Sequence, residues 1–121
     1  MIKSFIMVGL GGSIGAMLRY LIASFIKTNS FRLNTFLINI VGCFGIGIVL
    51  ALGEKQNVLS NYLKLFLATG ICGGFTTFSA FSTENFFLIK SGDNVTAALY
   101  MFTSIAVCIV ATFLDFKIIN N

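Results

Sequence analysis

The side chains best placed to do chemistry follow a cluster of glycines, in the run Gly70-Ile71-Cys72-Gly73-Gly74-Phe75-Thr76-Thr77-Phe78-Ser79-Ala80-Phe81-Ser82. Thr76, Thr77, Ser79 and Ser82 supply hydroxyls, and Glu84 adds a carboxylate shortly afterwards. Close glycines weaken a helix, because glycine loses the most backbone freedom on folding. The run lies in an apolar segment, where unpaired polar groups are costly and irregular backbone survives only inside protein or beside a cavity. A permeation path or an ion site is the chemistry such a run supports. Carbonyls released where the helix is interrupted could coordinate a small hard cation such as sodium. In the opposing reading, the Thr76 and Thr77 hydroxyls simply satisfy carbonyls of their own helix.

Other residues extend the polar character. Phe78 and Phe81 are three apart and share a face, and Glu84 continues that stripe. Rings at this spacing are commonly core or lipid-facing filler. Here they stand among hydroxyls, and ring edges carry the positive part of the aromatic quadrupole, which can face a small anion without trapping it. A fixed Lys or Arg would hold the anion longer and slow its release. Asn39 is an amide inside an apolar segment, with Thr35 one turn earlier on the same face. Its NH2 either serves a passing anion or makes a structural bond across a helix bundle. Tyr100 and Ser104, at i and i+4, make a short track of hydroxyls, with Thr103 and Thr112 nearby. Arg19 stands about seven residues before Ile26, roughly 10 Å in depth at the helical rise, within reach of snorkelling. It is either a vestibule cation that attracts anions or a surface anchor. Glu84 is vestibular, paired near the interface, or a helix-end residue.

The elements that must position these residues are membrane spans. Of the 121 residues, 57% are hydrophobic and 10% charged, and the mean hydropathy is +0.97. A soluble domain carries roughly 25% charged residues. A spanning helix needs about 20 mostly apolar residues, and four segments qualify: 5–26, 33–53, 63–89 and 95–116. The fold class is therefore all-α, one integral membrane domain over residues 1–121 with its third helix broken. Gly11-x-x-x-Gly15 and Gly12-x-x-x-Ala16 are small-residue pairs that let helices approach closely. The start of the chain imitates a signal peptide, but its apolar run is too long and carries Arg19.

Composition also excludes classes. Without histidine, the commonest general base and metal ligand is missing, so zinc and Ser-His or Cys-His chemistry are set aside. No nucleophile–base pair is visible, which argues against an enzyme. Cys43, Cys72 and Cys108 have no C-x-x-C spacing and read as small packing residues. The formal charge of +4 is spread along the chain and makes no nucleic-acid patch. One face would hold Lys3, Lys55, Lys64 and Lys117, and the other Lys27, Arg32 and Lys90, leaving Arg19 aside. Four against three is almost no positive-inside bias. That balance predicts insertion both ways and an antiparallel dimer, or a weak bias with an oppositely oriented partner chain.

Taken together, these passages resemble the bacterial fluoride channels called Fluc or CrcB. The resemblance is carried by Gly11-Gly12-Ser13-Ile14-Gly15-Ala16-Met17-Leu18-Arg19-Tyr20, by Asn34-Thr35-Phe36-Leu37-Ile38-Asn39-Ile40-Val41-Gly42, by the Gly70–Ser82 run and by the Tyr100/Ser104 pair. It covers essentially the whole chain. It implies a dual-topology homodimer in the cell membrane, with two antiparallel fluoride pores and a structural sodium ion at the centre. It further implies that Phe78 and Phe81 are the pore phenylalanines and Asn39 the pore asparagine. Tyr100 and Ser104 would form the polar track, and the Gly73 and Thr76 carbonyls would hold the sodium. Arg19 matches the arginine closing the first-helix motif, and Glu84 the acid after the phenylalanine pair. Ala80 departs from the common Ser-Thr-Phe by one hydroxyl and leaves the phenylalanine pair intact.

The expected activity is passive export of fluoride through the lipid bilayer. A proton-coupled multidrug antiporter is the first rival, and it would depend on Glu84 as its membrane-buried acid. A non-transporting assembly subunit is the second.

Overall fold

Long apolar runs without a single proline keep a backbone donor for the helical hydrogen-bond ladder at every position. The computed structural model describes residues 1–26, 31–55 and 59–120; Lys27 of the charge count lies outside the described residues. Helix α1 spans Ile2–Phe25 and α2 spans Phe31–Glu54. The third crossing is composite: α3 (Asn61–Lys64), a π-helical stretch (Leu65–Cys72), α4 (Gly73–Phe75) and α5 (Phe78–Lys90). Helix α6 spans Asn94–Asn120. Four helical segments are long and apolar enough to cross a membrane: Ile2–Phe25, Leu33–Glu54, Asn61–Lys90 and Asn94–Asn120. No strand occurs among the described residues.

The spans associate in two pairs. α1 lies along the π-helical stretch and α4, and α2 lies along α6. The first pair is a contact between backbones. A Cβ on Gly70 would come within 2.8 Å of the Gly11 Cα, and one on Gly74 within 2.5 Å of the Gly12 carbonyl oxygen. Gly11 and Gly15 are buried, so that small-residue pair of the first span does the packing expected of it. In the second pair, Cys43 meets Thr112 through the Thr112 hydroxyl (3.1 Å to the Cys43 carbonyl), and Gly47 meets Thr112 and Asp115. Residue numbers rise together along that seam, so α2 and α6 run parallel, with the third crossing returning the chain between them.

The interruption of the third span does not fall where glycine content alone puts it. Gly73 and Gly74 remain helical in α4, and Gly70 lies in the π-helical stretch. The extended residues are Thr76 (ψ 156°) and Thr77 (φ −144°, ψ 113°). Gly70 and Gly74 serve close approach to α1 instead. At the break, competing hydrogen bonds from Asn39 on α2 and from the Thr77 hydroxyl replace helical ones, as described below. α5 then restarts with the Thr77 hydroxyl accepting from Ala80 N–H at 3.2 Å, an N-cap of the usual kind. Its far end closes at Gly92, whose φ of +87° is the left-handed conformation glycine adopts without strain. Asp93 Oδ1 accepts from Thr96 N–H at 3.2 Å and starts α6.

Much of the apolar surface faces outward: Phe5, Phe102 and Phe113 are among many large exposed side chains. Such a surface is stable only against lipid or another apolar body.

Candidate functional site

Asn39 is the residue around which the site is built. Its Oδ1 accepts from Thr77 N–H at 2.8 Å, and its Nδ2 donates to the Thr77 carbonyl at 3.2 Å. The amide pairs with Thr77 much as a neighbouring strand would, which is why Thr77 is extended. The consequence runs one turn back. In an unbroken helix, Thr77 N–H would serve the Gly73 carbonyl and Ala80 N–H the Thr76 carbonyl. Asn39 takes the first donor and the Thr77 hydroxyl takes the second. Gly73 and Thr76 are thus two carbonyls at the break whose helical donors are taken by other acceptors. Of the two threonine hydroxyls, Thr76 Oγ1 does bond back into its own helix, 3.0 Å from the Cys72 carbonyl, whereas Thr77 Oγ1 caps α5.

Two cavities open on either side of Thr77, which lines both. The first, about 260 Å³, is bounded by Asn39, Phe78, Phe81, Ser104 and the Cys43 and Cys108 thiols, among others. Its lining carries no charged side chain. Phe78 and Phe81 stand with ring centroids 5.5 Å apart, and Phe81 continues to Tyr100 at 5.1 Å. Phe81 is buried, while Phe78 is 77% exposed. Ser104 is buried, yet its hydroxyl has no hydrogen-bond partner among the described residues. A buried polar group in that state loses its water without compensation, at a cost of about 1–3 kcal/mol. It is a donor facing a cavity, and an acceptor placed there would satisfy it.

The second cavity, about 410 Å³, is lined by Arg19, Asn34, Thr35, Ile38 and Glu84 among others. Here the carboxylate is paired. Glu84 accepts from Thr35 through one carboxylate oxygen and from Tyr100 through the other, both at 2.7 Å. Those short charge-assisted bonds tie α2, α5 and α6 together. Arg19 faces this cavity, as a vestibule cation would. Gly73 lines neither cavity and is exposed on α4.

Gly73 apart, the residues singled out from the sequence gather in two groups, joined by Thr77 and by the Phe81–Tyr100 contact. Three features were missed. Asn85 is buried, gives Nδ2 to the Phe81 carbonyl at 2.9 Å, and leaves Oδ1 without a partner among the described residues. Asp115 also holds a buried carboxylate oxygen in that state. The hydroxyl track of α6 continues past Ser104 through Cys108 to Thr112, opposite Thr35, Asn39 and Cys43 on α2. Continuing the i+4 spacing from Tyr100 would have found it.

The profile of the family described as CrcB-like protein, Camphor Resistance, matches residues 6–116. The chain belongs to the CrcB-like family. Similar proteins include one from Flavobacterium psychrophilum, 46% identical over 114 residues and covering 91% of each chain. One from Azobacteroides pseudotrichonymphae is 44% identical, over 87% of this chain and 86% of its own. One from a Shewanella strain is 37% identical, over 97% and 96%. All three are named fluoride-specific ion channel FluC. Family membership and four apolar spans make this CrcB-like chain a multi-pass protein of the cell membrane, and its relatives are channels rather than enzymes.

Proposed function

We propose that this CrcB-like protein is a fluoride-selective channel, letting the anion leave the cytoplasm passively through the cavity lined by Phe78, Phe81, Asn39 and Ser104. The partnerless Ser104 hydroxyl in a cavity without charged side chains is the observation that carries the reading. The names of its relatives support it. Fluoride is small and strongly hydrated, so removing its water is expensive. Several weak donors must replace that water, because one strong cation would trap the ion. Ser104 offers an O–H. Asn39 carries two amide hydrogens and has given one to Thr77, so its second is available to the ion. Phe78 and Phe81 offer ring edges. Arg19 raises the anion concentration in the wider cavity, and Thr35 and Tyr100 stay committed to Glu84. Chloride is too large to collect the same donors at contact distance.

The second part of the proposal is assembly as an antiparallel homodimer with two pores. The even spread of Lys and Arg supports it, as does the exposure of Phe78, which a second chain lying against the Thr76–Thr77 break would cover. An oppositely oriented homologous chain would serve the same role. The Gly73 and Thr76 carbonyls, stripped of their helical donors, fit a structural sodium ion. That ion would neutralise the converging carbonyl dipoles and hold the break in shape. Purified protein in liposomes should release fluoride much faster than chloride under matched gradients. Equal rates, or no release, would remove the proposal.

A further inference from the structure

The sequence reads Cys43, Cys72 and Cys108 as filler, and the structure gives two of them another capability. Cys43 on α2 and Cys108 on α6 lie beside each other across the seam between those helices. Both line the cavity of Phe78, Phe81 and Ser104. Both also line a neighbouring cavity of about 210 Å³, together with Thr112, so the thiol pair forms part of the wall common to the two. Their backbones are held in register by the Thr112 hydroxyl, which lies 3.1 Å from the Cys43 carbonyl and 3.2 Å from that of Cys108. Two thiols on different helices are thus kept close together beside the same open space. Cys72, close to Cys43 across the bundle, lines neither cavity.

We infer that Cys43 and Cys108 form a two-coordinate site for a soft, thiophilic d10 cation. Thiolate ligands select such ions over hard ones. Among the described residues no group of three or more His, Cys, Asp or Glu side chains converges as a metal site, which disfavours zinc and its tetrahedral set. Mercuric ion is the matching probe. Two S–H bonds break, two Hg–S bonds form and two protons leave to water, with no change of oxidation state. The Cys43–S–Hg–S–Cys108 product is neutral, so the membrane interior does not charge for an isolated ion. A metal bridging that wall narrows the cavity that the rings also line.

Blocking follows only if the cavity is the fluoride path, so that half of the inference rests on the proposed function. The metal site itself does not. Whole protein carrying Cys72→Ser, treated with one equivalent of mercuric ion, should gain the mass of one mercury less two protons and lose both free thiols together. Two separate mercury adducts, or none, would overturn the bridge. Cys108→Ser should abolish bridging; a bridge that persists there would reassign it to Cys43 and Cys72 and overturn the site. In liposomes, bridging should cut fluoride efflux about tenfold or more, by filling a pathway a few ångströms wide. Bridging without loss of flux would overturn the placement on the path. Untreated vesicles that never conduct would count against the fluoride reading, while the mass measurement still decides the metal site.

Discussion

The two cavities beside Thr77 are built from similar residue types and put them to opposite use. Around Glu84, every oxygen of the carboxylate meets a hydroxyl, Thr35 on one side and Tyr100 on the other. Around Phe78 and Phe81, polar groups are present but one of them, the Ser104 hydroxyl, is left unsatisfied. A satisfied network rigidifies, and an unsatisfied donor waits for a guest. The difference separates the part of the molecule that holds three helices together from the part that can receive an anion. Asn39 belongs to both, since it clamps Thr77 and lines the second kind of cavity.

That division can be broken by substitution. Phe78→Ile should have the largest effect on transport: fluoride efflux should fall by about tenfold or more as the ring edge is lost. Because Phe78 is so exposed, its folding should shift by only about 0.5 kcal/mol. Near-normal efflux would place the ring outside the path. Asn39→Ala comes next, and it should damage both functions. It leaves the Thr77 N–H and carbonyl unpaired, at about 1–3 kcal/mol for each group that stays dry. Thermal unfolding in detergent should show the loss, and efflux should fall with it. Full stability with lost efflux would mean the amide serves the ion alone. Glu84→Gln should be milder. The amide keeps one acceptor and turns the other into a donor, which the Thr35 or Tyr100 hydroxyl can meet by accepting instead, so about 1 kcal/mol is expected. An unchanged unfolding midpoint would show that the network around Glu84 is not holding the helices.

How much of this was legible in the sequence depends on whether the cause lies within one helix. The four spans follow from apolar length, and the meeting of Phe78 with Phe81 from spacing of three. The seam of Gly11 and Gly15 was visible as a small-residue repeat. The position of the break was not, because glycine content is a property of the third span whereas the diverted hydrogen bonds come from Asn39 on α2. Ser104 stood out as a hydroxyl in a track, but its lack of a partner depends on what α2 and α5 place around it. Asn85 was passed over beside Glu84, although a second polar residue in the same turn of an apolar span was the available signal. The nearness of Cys43 and Cys108 required knowing that α2 and α6 run parallel, which spacing within either helix does not encode.

The most direct measurement is fluoride efflux from vesicles carrying Ser104→Ala, taken alongside the unfolding midpoint of the same protein. Removing a hydroxyl that has no partner among the described residues should leave the midpoint unchanged or slightly raised, since the desolvation penalty goes with it. Efflux should fall clearly below that of the unaltered chain. Efflux that stays at the original rate, in a protein that folds as well, would contradict the claim that an unsatisfied donor is what receives the anion.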